Sequence, residues 1–239
     1  MKAIIIGATS GIGEAMIKEL IDNGYEVGIT GRRTELLTKI QQDYQNKGKV
    51  HIQTMDVCQF DQSRTDFLEL INRMRGLDMV IINAGVGSYS QKWESELSII
   101  QTNVAGFCAI AHAAFQYFAE QKKGHIVGIS SVAAVVGGAK SPAYNASKAF
   151  ISSYMNGLLQ KSIRKALNIH VTDIRPGFVK TPMTEQNRKM IWVASSEKAA
   201  KQIMSAIKRK QKIAYITKRW WIAAFIMRNL PNSVLAKMG

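Results

Sequence analysis

The chain opens with a short apolar segment that runs directly into a glycine-rich loop and then into a helical pattern. Lys2–Ile6 is apolar and β-branched, which is typical of a buried parallel strand. The loop that follows has the spacing Gly7-x-x-x-Gly11-x-Gly13. Gly7 permits a tight turn, Gly11 lets the backbone approach a pyrophosphate, and Gly13 lets the helix pack close to the strand. Because the helix N-terminus also offers N–H groups and the positive end of a dipole, this segment predicts a dinucleotide-binding turn.

Strand-like and helical segments alternate along the rest of the chain. The predicted strands are Lys2–Ile6, Glu26–Thr30, Val50–Met55, Met79–Asn83, His125–Ser130, Ile169–Ile174 and Ile213–Ile216. Helical patterns fill the intervals, the longest of them around Leu97–Glu120 and Tyr144–Ala166. This alternation predicts an α/β fold, a Rossmann-like doubly wound parallel sheet of about seven strands with helices on both faces. Since no repeat or Pro/Gly-rich linker interrupts it, we expect residues 1–239 to form a single domain.

The composition is that of a globular protein with an unusually basic charge. The 239 residues are 46% hydrophobic, which is enough for one substantial core. The net charge of +15 suits anionic ligands such as a dinucleotide phosphate. No nucleic-acid-binding module accompanies it, so we expect a solvated basic face and no nucleic-acid partner. The two cysteines and four scattered histidines lack ligand spacing, which predicts free thiols and no metal site.

Tyr144 and Lys148 lie four residues apart, and the serine pair Ser130-Ser131 precedes them. In a helix, residues i and i+4 share a face, which would place the ammonium beside the phenol. A free tyrosine has a pKa near ~10, and a neighbouring cation lowers that pKa by favouring the phenolate. The pair therefore predicts a tuned proton donor and acceptor that serves a redox partner.

Several short motifs follow one another in the order of one large enzyme family. They are Gly7-x-x-x-Gly11-x-Gly13, Asp56-Val57, Asn83-Ala84-Gly85, Asn103, the set Ser131, Tyr144 and Lys148, and Pro176-Gly177 with Thr181. In this combination, the chain resembles the short-chain dehydrogenase/reductase (SDR) superfamily in its single-domain branch, over roughly residues 2–217. Two positions differ from the family pattern: Ile6 stands where the family usually has Thr, and Ile82 where it often has Asn.

The resemblance implies hydride transfer between a nicotinamide cofactor and a carbonyl or hydroxyl substrate. Tyr144 would donate the proton in reduction and accept it in oxidation, and Lys148 would lower its pKa and bind the nicotinamide ribose. Ser131, which has the family spacing to Tyr144 and is therefore preferred to Ser130, would polarise the substrate oxygen. Asn103 would hold a water that links Lys148 to solvent. The implied cofactor-binding set is Gly7, Thr9, Ser10, Gly11, Ile12, Gly13, Arg32, Arg33, Asp56, Val57, Asn83, Ala84, Gly85, Tyr144, Lys148, Pro176, Gly177, Val179 and Thr181.

The end of the second predicted strand indicates which nicotinamide dinucleotide the chain prefers. An acidic residue at this position would accept a hydrogen bond from the ribose 2′-hydroxyl and favour NAD. The chain instead has Gly31 there, followed by Arg32 and Arg33. A guanidinium group suits a 2′-phosphate through bidentate hydrogen bonds, so the pattern favours NADP(H) over NAD(H).

Two segments near the C-terminus carry further expectations. Residues 176–196 are expected to form the substrate-binding segment, with Met183, Met190, Ile191 and Trp192 as apolar walls and Arg188 and Lys189 able to steer an anion. Residues 218–239 form a basic and aromatic tail whose apolar stretch is far shorter than the ~20 residues that span a bilayer. The tail is expected to pack on the body, to lie in an anionic membrane surface, or to bind a partner.

The sequence leaves other functions open beside the enzymatic one. A dinucleotide-binding regulator without catalysis would keep the glycine loop but has no need of the Ser-Tyr-Lys-Asn set. An interaction protein would use the basic tail. The leading prediction is a cytoplasmic enzyme, since no signal-type segment precedes the first strand, acting on a small-molecule carbonyl or alcohol. By resemblance we expect a homo-oligomer, a dimer or tetramer, with peripheral membrane contact through the tail as an additional prediction.

Overall fold

A single parallel sheet of seven strands forms the centre of the protein in the computed structural model, which describes residues 1–90, 92–185 and 190–238. Its strands are β1 (Lys2–Ile6), β2 (Glu26–Gly31), β3 (Val50–Thr54), β4 (Met79–Ile82), β5 (Lys123–Ile129), β6 (Asn168–Pro176) and β7 (Ile213–Ile216). The strand order is β3-β2-β1-β4-β5-β6-β7, and every neighbouring pair is parallel. The predicted α/β class with a doubly wound parallel sheet is confirmed.

Helices cover both faces of this sheet. They are α1 (Gly11–Asp22), α2 (Thr34–Tyr44), α3 (Phe60–Met74), α4 (Trp93–Ile99), α5 (Phe107–Gln121), α6 (Pro142–Arg164), α7 (Ser196–Lys208), α8 (Trp220–Asn229) and α9 (Asn232–Met238). Alternate side chains of β1 divide between the two faces, as the period of two in a strand requires. Ile5 packs in the core layer of α1 and α7, whereas Ile4 and Ile6 pack in the layer of α3, α5 and α6.

The strand order reverses between β1 and β4, and this creates a crevice at the carboxyl ends of the strands. From β1 the chain winds outward through β2 and β3, and from β4 it winds in the other direction through β5, β6 and β7. Backbone hydrogen bonds fix the loops on both sides of the reversal: Ala8 N–H donates to Thr30 O at 2.9 Å, and Ala84 N–H donates to Ile6 O at 2.7 Å. Ligands of open α/β sheets bind at such a reversal.

The elements differ from the sequence-based expectations mainly at their ends. β5 begins at Lys123 rather than at His125, and β6 continues to Pro176 rather than ending at Ile174. The predicted long helix around Leu97–Glu120 includes a π-helical stretch, Ile100–Gly106, between α4 and α5. Such stretches insert an extra residue into a turn and commonly occur at functional sites, which a period of 3.6 residues does not predict.

The helical stretch Trp93–Gln121 is long and apolar enough to cross a membrane by length and composition, the one such stretch among the described residues. However, 44% of its most apolar window is buried inside the protein. Phe107, Ile110 and Phe115 of this stretch belong to the core layer beneath the sheet. Its apolar character is that of a core helix.

Candidate active site

An open cavity of about 300 Å³ lies at the carboxyl ends of the central strands. Its wall contains nearly all of the site residues expected from the sequence: Gly7, Thr9, Ser10, Gly11, Ile12, Arg32, Arg33, Asp56, Val57, Asn83, Ala84, Gly85, Ser131, Tyr144, Lys148, Pro176, Gly177, Val179 and Thr181. Gly13 and Asn103 do not line the cavity. The tertiary structure thus brings loops from six strands into one site.

The glycine loop has the backbone geometry of a phosphate-binding turn. Gly7 and Gly11 have φ of 84° and 60°, a left-handed conformation that glycine adopts without strain. Ser10 precedes the first turn of α1, and Ser10, Gly11 and Ile12 line the cavity, so the helix N-terminus faces it. These N–H groups and the helix dipole favour an anion there.

Gly13 has a structural reason of its own, although it lies behind the cavity. A Cβ at this position would be 2.1 Å from the carbonyl oxygen of Gly7 and 2.6 Å from Asn83 Nδ2. Asn83 Nδ2 donates to the same Gly7 oxygen at 2.6 Å. Only glycine lets α1 approach closely enough for Asn83 to hold the loop after β1.

The far end of the cavity, beyond β2, carries two arginines. Arg33 Nη2 donates to Thr9 Oγ1 at 2.8 Å, which ties the glycine loop to the end of β2. Arg32 is exposed and has no hydrogen-bond or ion-pair partner within residues 1–90, 92–185 and 190–238. A Cβ on Gly31 would be 2.7 Å from Thr9 Cγ2, so a longer acidic side chain at this position would collide with the loop.

Tyr144, Lys148 and Ser131 meet at the other end of the cavity. Tyr144 and Lys148 lie one turn apart on α6, and Lys148 Nζ is 5.6 Å from the centre of the Tyr144 ring. Lys148 is 4% exposed, and its Nζ donates to Ile129 O at 3.0 Å. Ser131 lies at the end of β5, where its Oγ accepts from Ala133 N–H at 3.1 Å and donates to Pro176 O at 3.4 Å.

Burial dominates the acid–base properties of this pair. It raises the pKa of the Tyr144 phenol above its usual value, and a hydrogen bond from Ser131 only partly opposes the effect. Burial also lowers the pKa of Lys148 to about 8, against a smaller opposing effect of Asp173. The pKa of Tyr144 is therefore raised in the protein without a cofactor, where a lowered value was expected, and the expected effect of Lys148 on the phenol stays a prediction.

The two serines expected near the site have different partners. Ser130 Oγ donates to Asp173 Oδ1 and to Ile174 O, so its hydroxyl is engaged by β6. Asp173 also accepts from Ser152 Oγ at 2.8 Å and from Arg175 Nε at 2.7 Å. Ser131, whose hydroxyl interacts with Tyr144, is the serine that can reach a ligand beside the phenol.

Asn103 is fully buried in the π-helical stretch and is bound to the loop after β4. Its Oδ1 accepts from Val86 N–H at 2.8 Å, and its Nδ2 donates to Val86 O at 2.8 Å and to Ser147 Oγ at 3.0 Å. A Cβ on Gly85 would be 3.2 Å from Asn103 Oδ1 and 3.4 Å from Lys148 Nζ. The Asn103 amide thus positions the loop that faces Lys148, and its water-holding role stays a prediction.

Only part of the expected substrate segment reaches the cavity. Met183 lines it together with Pro182 and Thr184, and Met183 is 47% exposed at the rim. The expectation that Met190, Ile191 and Trp192 also form cavity walls is wrong for this conformation, because they are absent from the lining. Arg188 and Lys189 lie outside the described residues.

Asp173 is the main polar residue near the site that the sequence analysis missed. It is 3% exposed and accepts hydrogen bonds from three side chains around the end of β6. A carboxylate inside a strand flanked by Ile and Val residues was a detectable signal, because a buried charge needs partners. In the described part of the chain, no group of three or more His, Cys, Asp or Glu residues could hold a metal ion, and Cys58 and Cys108 are free thiols.

The residues present fit a dinucleotide. The cavity extends from the exposed Arg32 past the left-handed glycines and the α1 N-terminus to the Tyr144 hydroxyl and the Lys148 ammonium. Asn83 and Gly85 form the wall between these ends. A long anionic ligand with a phosphate group at its middle therefore matches the order of the groups along the wall.

A family model for short chain dehydrogenase matches residues 1–192, which is most of the chain. An uncharacterized oxidoreductase of Myxococcus xanthus is 37% identical over 190 residues, which cover 77% of this chain and 74% of the relative. Sulfoacetaldehyde reductase 2 of Chromohalobacter salexigens is 30% identical over 190 residues, 76% of this chain and 73% of that protein.

Solved structures with the same fold share less sequence. A short chain dehydrogenase/reductase from Burkholderia phymatum in complex with NAD has a TM-score of 0.85 at 17% identity, covering 93% of this chain and 91% of its own. ElxO with NADP bound has a TM-score of 0.81 at 20% identity, covering 92% of this chain and 98% of its own. The family model, the oxidoreductase relatives and the motifs that line the cavity agree. The chain belongs to the short-chain dehydrogenase family of oxidoreductases.

Proposed function

We propose that this protein is an NADPH-dependent oxidoreductase that transfers hydride between nicotinamide and a carbonyl or hydroxyl group of a small-molecule substrate. One observation carries the proposal. The Ser131–Tyr144–Lys148 group and the left-handed glycine loop line the same continuous cavity. A regulator that only binds a dinucleotide needs the loop but not a buried phenol and ammonium beside it.

Reduction of a carbonyl to a hydroxyl needs a hydride and a proton; bound NADPH would supply the hydride and would be left as NADP⁺. Tyr144 Oη supplies the proton to the developing alkoxide, and Ser131 Oγ donates a hydrogen bond that polarises the same oxygen. The raised pKa of Tyr144 keeps the phenol protonated at neutral pH in the free protein, which is the state that an acid needs. In oxidation, the same oxygen takes the proton back.

Lys148 acts through its position between the phenol and the backbone of β5. Its Nζ donates to Ile129 O and lies beside the Tyr144 ring, so the charged ammonium favours the phenolate that remains after proton transfer. Its lowered pKa of about 8 makes the ammonium a readier proton donor than an ordinary lysine. Asn103, held by Val86 and Ser147, fixes the loop against which Lys148 lies.

The preference for NADPH over NADH is supported by the wall at the end of β2. Gly31 leaves no carboxylate for a ribose 2′-hydroxyl, and Arg32 offers a guanidinium without a partner among the described residues. Among proteins of the same fold, ElxO and a serine dehydrogenase are described with NADP and the Burkholderia phymatum protein with NAD. The family thus accommodates both cofactors, and the local charge favours NADPH here.

The finer features of the proposal follow from the family and the surface. Residues 1–239 act as a single domain with residues 176–196 as substrate segment, and the protein works in the cytoplasm as a homo-oligomer, a dimer or tetramer. The basic and aromatic tail, residues 218–239, adds a peripheral contact with membrane surfaces. Members of the family act on small molecules, as the sulfoacetaldehyde reductase does by its name.

The test replaces Tyr144 by phenylalanine, with Tyr117→Phe on α5 as a matched tyrosine outside the cavity. Tyr144→Phe should lower the NADPH-dependent turnover of a panel of ketones and aldehydes by about 10²–10⁴-fold, because only the proton donor is lost. NADPH binding, measured by fluorescence titration, should stay within about twofold of the parent. Unchanged turnover in Tyr144→Phe, or no turnover of any carbonyl by the parent protein, would refute the proposed function.

A further inference from the structure

The short helix α8 is apolar on its outer face as well as on its inner one. Trp220 and Ala224 are buried against the body. On the opposite side, Trp221, Ile222, Phe225 and Ile226 are 55%, 47%, 64% and 50% exposed. Their spacing of one and four residues places them on one stripe of the helix. A surface helix normally presents polar residues there, so this stripe needs a partner that the body of the protein does not supply.

Cations flank the exposed stripe of α8 along the chain. Lys218 and Arg219 precede the helix, and Arg228 lies in its last turn. The sequence from Lys198 to the C-terminus contains ten Lys and Arg residues and no Asp or Glu. Aromatic and aliphatic side chains flanked by cations are the composition of a helix that lies in an anionic membrane interface.

A second copy of the chain is a poorer occupant for this surface. In a two-fold symmetric contact, the same patch meets itself. Arg219 and Arg228 of one copy would then face the same cations of the other, with no acidic residue after Lys198 to balance them. Like charges brought together in this way oppose association, whereas an anionic lipid surface complements them.

The stripe is connected to the candidate active site through one tryptophan. The Trp220 ring packs edge-on against Phe178 at 5.6 Å and against Trp192 at 5.4 Å, measured between ring centres. A Cβ on Gly177 would be 1.9 Å from Trp220 Nε1, so the indole lies directly on this glycine. Because Gly177 lines the cavity on its other side, the first turn of α8 is one residue away from the site.

The surface between α8 and the cavity is apolar as well. Trp192 is 41% exposed beneath Arg219, whose guanidinium lies 5.2 Å from the centre of its ring. Ile191 and Val193 beside it are 58% and 42% exposed. Met183, 47% exposed, lines the cavity itself and lies near Tyr144 across Gly87. Exposed apolar groups therefore occur from the outer face of α8 to the rim of the cavity.

From this arrangement we propose that the exposed stripe of α8 docks on the surface of an anionic lipid bilayer and that the cavity takes an apolar carbonyl substrate from that bilayer. The first part, called the docking half, is based on the geometry and charge of α8. The second part, called the substrate half, also rests on the proposed oxidoreductase function.

Vesicle flotation of the full-length protein tests the docking half. The parent should float with vesicles of phosphatidylcholine and phosphatidylglycerol, and less with phosphatidylcholine alone, since each cation near an anionic surface contributes roughly fivefold in affinity. The double variant Trp221→Ser/Phe225→Ser should lose binding by roughly 10-fold or more. Phe60→Ser/Leu68→Ser, which changes exposed apolar residues of α3, should float like the parent.

Two further measurements complete the flotation test: a variant that removes cations near α8, and the oligomeric state of each variant. Lys218→Gln/Arg228→Gln should lose binding to the anionic vesicles only, and the matched pair Lys39→Gln/Lys47→Gln should lose less. Light scattering measures the mass of each variant in solution. A parent that does not float, or a Trp221→Ser/Phe225→Ser variant that floats normally, overturns the proposal. Loss of oligomer mass in that variant without vesicle binding by the parent assigns the stripe to a contact between copies.

The substrate half is tested with two ketones, a short water-soluble one and a long-chain alkyl ketone dissolved in anionic vesicles. The parent should turn over both, and Trp221→Ser/Phe225→Ser should lose at least roughly tenfold in rate with the vesicle-bound ketone while keeping its rate with the soluble one. Turnover of the soluble ketone alone, or equal rates of parent and variant with the vesicle-bound ketone, overturns the substrate half. Absence of turnover with every carbonyl refutes the proposed function instead, and the flotation result is independent of it.

Discussion

Lys148 destabilises the folded protein through its buried charge and serves the proposed reaction through the same charge. The side chain is 4% exposed and has one backbone acceptor, Ile129 O. Burial lowers its pKa to about 8, so the ammonium is held in a place that disfavours its charge. A charge at this position helps a phenolate but destabilises the empty site.

The stability of the protein should therefore depend on pH through Lys148. Its folded pKa of about 8 lies below the ordinary 10.5, so the unfolded chain binds the extra proton between these pH values. The contribution of Lys148 to the free energy of unfolding consequently rises from pH 8 to 10.5, and the full penalty is present below pH 8.

Lys148→Met should raise the free energy of unfolding at pH 7 by about 2 kcal/mol, after allowance for the lost hydrogen bond to Ile129 O. Denaturant titrations at pH 7 and pH 10 measure the effect, which should shrink at the higher pH, while turnover is lost. Lys39→Met, at an exposed position on α2, serves as control. A Lys148→Met variant that is less stable than the parent at pH 7 would contradict the proposed cost of burying the Lys148 charge.

Arg32 provides a second residue-scale prediction, on cofactor choice. Arg32→Ala should weaken the binding of NADPH by roughly 10-fold or more, since a charge-assisted hydrogen bond to a phosphate contributes about 1.5–3 kcal/mol. NADH binding should change by less than about threefold. Titrations with both cofactors decide the matter, with Arg64→Ala as an exposed arginine outside the site. Equal losses for the two cofactors would remove the basis of the NADPH preference.

At the scale of elements, α8 packs on the body through Trp220 in its first turn and Ala224 in its second. Trp220 is 6% exposed and packs on Gly177, Phe178 and Trp192. Its Nε1 is buried without a hydrogen-bond partner among the described residues. The packing of the indole therefore outweighs an unsatisfied N–H group, which costs about 1–3 kcal/mol.

Two substitutions of Trp220 separate the contribution of the ring packing from the cost of the unpaired N–H group. Trp220→Ala should lower the free energy of unfolding by about 3–5 kcal/mol, because the cavity left under α8 cannot collapse fully. Trp220→Phe should cost much less, since it removes the unpaired N–H group and keeps a ring. Denaturant unfolding measures both, and limited proteolysis after Thr217 reports the release of α8. Equal costs for the two variants would show that the ring packing is not the main contribution.

At the scale of the whole molecule, the sheet gathers a site that no single element contains. The loops after β1, β2, β3, β4, β5 and β6 all contribute residues to one cavity. A ligand that contacts all of them binds the folded state only. Its binding free energy is therefore added to the free energy of unfolding of the folded chain.

NADPH should raise the melting temperature accordingly. At a free concentration of 100 times its Kd, the ligand should add about 2.7 kcal/mol, which corresponds to a shift of about 5–10 °C for a domain of this size. NADH at the same concentration should give a smaller shift. Differential scanning fluorimetry of the parent and of Arg32→Ala measures the difference, and the absence of a shift with either cofactor would contradict the dinucleotide site.

Sequence patterns determined the sheet and the identities of most site residues. The strand–glycine–helix start, the apolar runs and the Tyr144–Lys148 spacing are local, because period, turn geometry and one helical turn act over a few residues. These patterns predicted residues that come to line one cavity, as the structure shows for nearly all of them. They also limit the strand order to a small set of topologies, because crossover connections between parallel strands are almost always right-handed.

Only the tertiary structure decided the properties that depend on distant neighbours. The pKa of Tyr144 is raised because desolvation, which needs the packed fold, exceeds the opposing effect of the hydrogen bond with Ser131. The Ser130 hydroxyl donates to Asp173 on the next strand, and the Asn103 amide donates to the Val86 carbonyl on a distant loop. Trp192 packs on Trp220 and does not line the cavity. Burial, hydrogen-bond partners and solvent exposure arise from segments far apart in the chain, so spacing along the sequence does not encode them.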